Sequence, residues 1–416
     1  MQIKEILIRN TNILKNASYL SIIEILNLIT PFVALPYVFD TIGIENYGKI
    51  AMARAIVAFV ILVVNWGVDI YIVKEVSVYR SDKYKLGQII SSVVTLKLLL
   101  FIVCIIVLLC VTPYVKFLYE EKLLMWCVMT DVISHIFVPI WFFQGIEKMK
   151  YLTIFRFINL SVYLLLLFVF INTKADYCKL PVCQNIGILI TVIYSSYVIY
   201  KKEHIPFILP QKDDIVCTFI KSFPFFLSRV ATTFNGYVAK LVTGATLTME
   251  AVGILDVAQK IIGVARIPSG MLNQAIYPTM AKIKNTNTNL TKRYLYLFIT
   301  ISLLSCLAVF LLSPLVIHWF IDTCQNDTVY IIRLLCIYLF FLCVTPFLGT
   351  SILVSCGYDR EFNRSVIISS IITVLIYLVV GYMNIFTLAV SAYVLCVSEL
   401  LIFLIRLYYC RKYKLL

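Results

Sequence analysis

The chain has 416 residues, of which 61% are hydrophobic and 14% charged, whereas a soluble domain carries roughly 45–50% and about 25%. The excess runs along the whole length, which excludes a soluble globular enzyme, a disordered tail protein and a secreted disulfide scaffold. Lys+Arg 36 outnumber Asp+Glu 22 for a net +14, but the basic residues punctuate apolar runs instead of forming one patch, so membrane topology explains them before nucleic acid does.

From the N-terminus, Met1–Lys15 is polar and mildly basic. The apolar run that follows is too long for a signal h-region and ends in no small-residue cleavage site, so it reads as a retained first membrane helix. A helix needs roughly 20 apolar residues to cross the hydrocarbon layer. Twelve such runs follow, over 17–38, 48–72, 88–112, 123–143, 153–171, 185–200, 216–243, 251–280, 294–317, 329–353, 365–382 and 384–406. With the N-terminus inside, the inner segments hold 24 basic residues and the outer ones five, namely Lys49, Lys116, Lys122, Lys174 and Lys179. That asymmetry supports an even number of spans with both termini cytoplasmic. The expected fold is therefore an all-α membrane protein.

Most of the 13 cysteines sit inside apolar runs as small hydrophobes. Only Cys178 and Cys183, in a polar stretch, have a setting in which a disulfide is open alongside two free thiols. No Cys/His spacing suits a metal. The outer loops near 172–184 and 318–328 run to about a dozen residues, too short for an external catalytic domain such as a polysaccharide polymerase or ligase needs.

The longest polar interruption, Lys201–Asp214, follows the sixth run and contains two prolines. It divides the chain into an N-terminal six-helix bundle (1–200), a cytoplasmic linker (201–215) and a C-terminal six-helix bundle (216–416). A short repeat accompanies the division: Glu45-x-x-Gly48 opens the second run and Glu250-x-x-Gly253 the eighth, 205 residues apart. Paired halves with a ligand site near the midplane between them are a recurrent transporter plan.

Several ionisable residues fall inside the runs: Arg54, Lys97, Arg229, Lys240, Lys260 and Arg266, with Glu24, Asp69, Asp131, Asp256 and Glu399. Each costs about 2.5–3.5 kcal/mol at mid-membrane, so most must face protein or a water-filled cavity. Asp256 and Lys260 stand at i,i+4 and can simply pair. Lys97 is expected to snorkel along its helix. Arg266, just before Pro268, can satisfy carbonyls that the proline frees. Arg54, Arg229 and Lys240 have no acidic partner in their own helices and point to a cavity. Arg229 and Lys240 share one helical stripe, being eleven residues apart. A surplus of fixed cations suits an anion, and guanidinium groups grip phosphate oxygens in bidentate fashion.

Certain phrases resemble a known family: Leu35-Pro36-Tyr37, Gly43, Tyr47-Gly48, Trp66-Gly67-Val68-Asp69, Trp141 to Tyr151 (WFFQGIEKMKY), Phe223 to Arg229 (FPFFLSR) and Tyr277-Pro278. They are similar to those of the O-antigen and polysaccharide repeat-unit flippases of the multidrug/oligosaccharidyl-lipid/polysaccharide exporter superfamily. The likeness covers about 17–280, and the Gly-rich phrase that often enters the family's last span is replaced by Thr387–Ala392.

The resemblance implies two pseudo-repeated six-helix bundles around a central cavity, working by alternating access in the bacterial inner membrane. It implies an undecaprenyl-pyrophosphate-linked oligosaccharide as cargo, moved from the cytoplasmic to the periplasmic leaflet, with no cofactor, no metal and no catalysis. The expected setting is a monomer among membrane lipids, working with a polysaccharide polymerase and a chain-length regulator and with no nucleic acid. In this reading Arg54, Arg229, Lys240, Lys260 and Arg266 bind substrate, and Glu24, Asp69 or Asp131 couple an ion. An ion-coupled drug antiporter of the same superfamily is the competing reading, and would want an acidic, aromatic cavity instead.

Overall fold

The computed structural model describes residues 2–283, 288–320, 325–383 and 385–416, without the side chains of residues 2–18 and of a few later positions that include Glu24. Among the described residues the chain is helical, with no strand. Nine stretches among these described residues are long and apolar enough to cross a bilayer. The first of them, Ile25–Val78, carries the first two predicted runs together. The seventh and eighth predicted runs lie on helices Lys212–Thr246, Met249–Ala265 and Ile267–Ile283. Those helices carry charge and small polar residues, and none of them is among the nine.

The boundaries depart from expectation where the backbone has a local reason. Helix Gln2–Asn65 runs through the gap between the first two runs, and only Gly43 leaves helical geometry there, at φ 77 and ψ 163. A residue with a side chain resists that conformation. The fourth run is three short helices, Lys122–Met129, Asp131–Phe137 and Ile140–Gly145. Pro139 breaks it by removing an amide and holding Val138 extended, at φ −93 and ψ 102. The sixth helix starts at Lys179, inside the expected outer loop, behind a turn in which Asp176 accepts from the Thr173 amide at 2.9 Å. Cys178 and Cys183 are thiols, with no disulfide between them.

The chain forms two compact units, residues 1–43 with 56–230, and residues 44–55 with 231–416. In the first unit the core joins Val68, Ile72, Leu86, Val93, Phe142, Phe143 and Phe155. Two of the phrases that carry the family likeness meet here. Trp66 stacks on Phe219 and Phe226 at ring separations of 4.6 and 4.1 Å and donates Nε1–H to the Phe219 carbonyl at 3.1 Å. Gly67, at φ 69, lies so close to Phe225 and Phe226 that a Cβ would overlap their backbone. In the second unit Phe298 stacks on Phe347 at 4.7 Å, and Leu348, Ile352, Leu353 and Cys410 close round them.

Outside these cores the long helices show apolar flanks. Leu99, Ile102, Val103, Ile106 and Val107 are exposed on helix Lys83–Val111, and Leu304, Leu307, Leu311 and Leu315 on helix Thr288–Phe320. Continuous apolar surface of that kind is solvated by lipid and not by water. The protein is a multi-pass membrane protein.

Candidate functional site

The site is built on small residues in the second unit. Segment 44–55 crosses the start of helix Met249–Ala265 where Gly48 meets Gly253. A Cβ on Gly48 would strike the Met249 carbonyl, and a Cβ on Gly253 would lie 2.6 Å from the Ile44 carbonyl. The contact is reciprocal in the 205-residue frame, because position 44 corresponds to 249 and 48 to 253. Gly244 approaches Met52 in the same junction, and Ala51, Ala53, Ala55, Ala251 and Ala258 are buried around it. Small side chains let membrane helices approach closely, and the close approach brings polar groups from three segments together.

Asp256 is the centre, at 6% exposure. Its Oδ1 lies 2.5 Å from Lys240 Nζ, and its Oδ2 lies 2.9 Å from Lys260 Nζ. The Tyr47 hydroxyl donates to Oδ2 at 2.5 Å and accepts from Lys260 Nζ. Lys260 also sits 4.8 Å above the Tyr47 ring, and Lys240 sits 5.5 Å from the Tyr237 ring centre. Arg54, half-buried, is close enough for its charge to act on Lys260. Two lysines therefore share one carboxylate with Arg54 beside Lys260, and the group keeps a positive surplus that an incoming anion can neutralise.

The other candidate residues are placed differently. Arg229 belongs to the first unit and is exposed. Arg266 is exposed at the junction of Met249–Ala265 with Ile267–Ile283, and its charge acts on Glu399 and Tyr338. Asp131 accepts from the Asn185 amide. The Glu24 side chain lies outside the described residues.

Lys97 does not snorkel. It is 1% exposed and donates to Asp69 Oδ1 at 2.8 Å, to Asn65 Oδ1 at 3.0 Å and to the His135 carbonyl at 2.8 Å. The last bond has a simple cause. His135 is four residues before Pro139, so the proline removes the amide that its carbonyl would otherwise accept from. Lys97 supplies the missing donor. The same bonds occupy one oxygen of Asp69 in an ion pair.

Two residues with no expected role matter. Tyr47 ties the carboxylate to Lys260, and only its place beside Gly48 in a resembling phrase hinted at it. Arg406, grouped in the sequence with cytoplasmic basic residues, is 6% exposed. It donates to Ser365 Oγ and the Thr345 carbonyl, each at 3.0 Å, over the Phe362 ring at 4.4 Å. Its guanidinium occupies the space that a Cβ on Gly349 would fill.

Among known proteins, a candidate O-antigen transporter of Escherichia coli (strain K12) is 23% identical over 414 residues, which is 98% of this chain and 99% of that one. A candidate O-antigen transporter of Shigella dysenteriae is 28% identical over 276 residues, 65% of this chain and 68% of that one. An inward-facing multidrug resistance MATE family transporter of the MOP superfamily superposes with TM-score 0.74 at 12% identity, covering 95% of this chain and 97% of that chain. The MATE multidrug transporter DinF-BH superposes with TM-score 0.62 at 14% identity, covering 97% and 95%. At such identities the superpositions speak for a common fold alone. The sequence profile of the polysaccharide biosynthesis proteins matches residues 13–284, well over half the chain, and with the helical fold it shares with the MATE transporters this protein belongs to that family.

Proposed function

We propose that the chain is a flippase. In this reading it moves an undecaprenyl-pyrophosphate-linked oligosaccharide, an O-antigen or related repeat unit, from the cytoplasmic to the periplasmic leaflet of the bacterial inner membrane. The architecture of that reading is twelve helices in two six-helix halves, 1–200 and 216–416, with both termini cytoplasmic. The reciprocal Gly48–Gly253 contact supports the paired halves, and the names borne by the full-length relatives support transport without catalysis.

The observation that carries the substrate class is the pairing of Lys240 and Lys260 with one carboxylate, Asp256, with Arg54 beside Lys260. A diphosphate needs more positive charge than one lysine supplies. In the unloaded state Asp256 stands in for the phosphate and keeps two lysines from facing each other unpaired. An arriving diphosphate takes over Lys240 and Lys260 and adds a bidentate contact to Arg54. Release returns the lysines to Asp256, so binding stays weak enough to reverse. Rocking of the halves then exposes the ligand to either leaflet. Arg229 and Arg266 are assigned supporting contacts along the same route.

The test is Arg54→Ala and Arg229→Ala in a strain whose surface polysaccharide depends on this protein, with membrane levels checked by blotting. Loss of surface polysaccharide at normal protein level is expected for Arg54→Ala. Normal polysaccharide in both variants would sink the assignment.

A further inference from the structure

A cationic cavity opens in the first unit, distant in sequence from the Asp256 cluster. Its volume is about 670 Å³, and Tyr19, Arg80, Lys83, Lys148, Lys150 and Tyr151 line it with Glu147 and Glu203 over an apolar floor that includes Phe142. Four cations face two carboxylates.

The carboxylates are already used. Glu147 lies 3.5 Å from Arg80, and Glu203 lies 2.5 Å from Lys148. Both are set by unusual turns. Glu147 itself is left-handed at φ 59, and Glu203 precedes His204, left-handed at φ 53. L-residues adopt that region at a cost, which marks positions held by their surroundings. The turns set Glu147 and Glu203 beside Arg80 and Lys148. Lys83 and Lys150 remain as the surplus. Each is the first residue of a long helix, Lys83–Val111 and Lys150–Phe170, whose positive end adds to the field. Lys150 lies 5.2 Å from the Tyr151 ring centre, and Tyr19 lines the cavity with it.

The chain beside the cavity is built to touch lipid. After Glu203, Ile205 is buried at 3% exposure, whereas Phe207 and Leu209 stand out at 72% and 76%. The segment is pinned to helix Lys83–Val111, where the Pro206 carbonyl and the Ile208 side chain occupy the space above Gly87. Two bare apolar side chains on a segment adjoining a cationic cavity fit the headgroup level of a bilayer, where apolar groups dip in and cations stay at the surface.

We infer that this cavity binds the phosphate of an anionic lipid headgroup, with Lys83 and Lys150 as the recognising charges, Arg80 and Lys148 as fixed walls, and Phe207 and Leu209 as the contact with the acyl region. The site is separate from the Asp256 cluster and does not depend on the flippase reading. Phosphatidylglycerol is the probe.

The full-length protein in detergent is titrated with phosphatidylglycerol, with phosphatidylcholine and with inorganic phosphate, and retained ligand is counted by native mass spectrometry. One phosphatidylglycerol held well beyond phosphatidylcholine is expected. Each lysine near a charged lipid surface contributes about fivefold in affinity, so Lys83→Gln with Lys150→Gln should weaken retention about 25-fold. Lys116→Gln, on a distant segment, should leave retention unchanged. Arg54→Ala and Lys260→Ala should also leave it unchanged, which keeps a failure here apart from a failure of the transport reading. Equal retention of phosphatidylglycerol by the double variant, or equal retention of phosphatidylcholine by the unaltered protein, overturns the site. Inorganic phosphate binding as tightly as phosphatidylglycerol overturns the lipid as its source.

Discussion

Replacing Asp256 with leucine should destabilise the chain more than removing any surface charge. The carboxylate is 6% exposed and meets Lys240 at 2.5 Å, Lys260 at 2.9 Å and the Tyr47 hydroxyl at 2.5 Å. Lys240 is itself only 9% exposed, so without Asp256 it becomes a buried charge lacking its anion, whereas Lys260, with a side chain 37% exposed, can turn toward water. Removing one partner of a buried pair costs about 3–5 kcal/mol. An unfolding entropy of about 2.1 cal/mol/K per residue over 416 residues turns that into a fall in Tm of roughly 3–6 °C.

Lys240→Met leaves Asp256 with Lys260 and should cost less, about 1.5–3 kcal/mol for one hydrogen bond to a charged group. The double variant removes both buried charges, and apolar replacement of a buried pair is neutral or stabilising. Its Tm should therefore lie above that of Asp256→Leu. Thermal unfolding of the three variants and the parent in one detergent, followed by intrinsic tryptophan fluorescence, completes a double-mutant cycle. Surface polysaccharide should be lost in all three, since the restored stability of the double variant restores no cation. A fall below about 1 °C for Asp256→Leu, on the same entropy scale, or strictly additive penalties in the double variant, would refute the reasoning.

Tyr47→Phe keeps the ring under Lys260 and deletes the hydroxyl's bonds to Asp256 and from Lys260, so it should lower Tm by about 1–3 °C for two bonds of about 0.5–1.5 kcal/mol each while reducing surface polysaccharide; an unchanged polysaccharide level would count against a role for the hydroxyl. Gly48→Val places side-chain atoms on the Met249 carbonyl and should abolish the monodisperse peak in size-exclusion chromatography. Gly263→Ala, with open space at the new methyl, should leave that peak intact. Lys97→Met should reduce the amount of folded protein in the membrane, and Pro139→Ala in the same chain should recover part of it by returning the amide that the His135 carbonyl lacks. Equal protein levels in the single and double variants would show that the freed carbonyl is not the problem.

Much of the helical plan is legible because it depends on one quantity, the length of apolar runs between basic segments. The breaks inside helices are legible only in part. Pro139 announces the interruption of the fourth run, but nothing in the neighbouring sequence says that Lys97 answers it, since the two meet only when separate helices pack. Asp256 and Lys260 are readable as an i,i+4 pair, whereas Lys240 finds the same carboxylate from another helix. The Glu-x-x-Gly repeat is readable as likeness. That its two glycines touch is not, because a repeat offset describes resemblance and says nothing about distance. Trp66 and Phe226 fall in two phrases of the family likeness, and the structure gives both a packing role, one against the other. Arg406 misleads for a physical reason: at the end of an apolar run a basic residue reads as an interfacial anchor, yet here Ser365 and the Thr345 carbonyl are there to receive it.

The bond from Lys97 to the His135 carbonyl bears on how any survey of charged positions is to be interpreted. On the proposed function, a screen that scores only surface glycan would place Lys97 beside Arg54 and Lys260, because each substitution would silence the pathway. On that reading their failures would differ in kind: one chain would never reach its mature form, and the others would mature without a grip on cargo. Sorting hits first by the quantity of intact protein would send Lys97 and Arg406 to the scaffold and leave a shorter, cleaner roster of residues that meet the passenger.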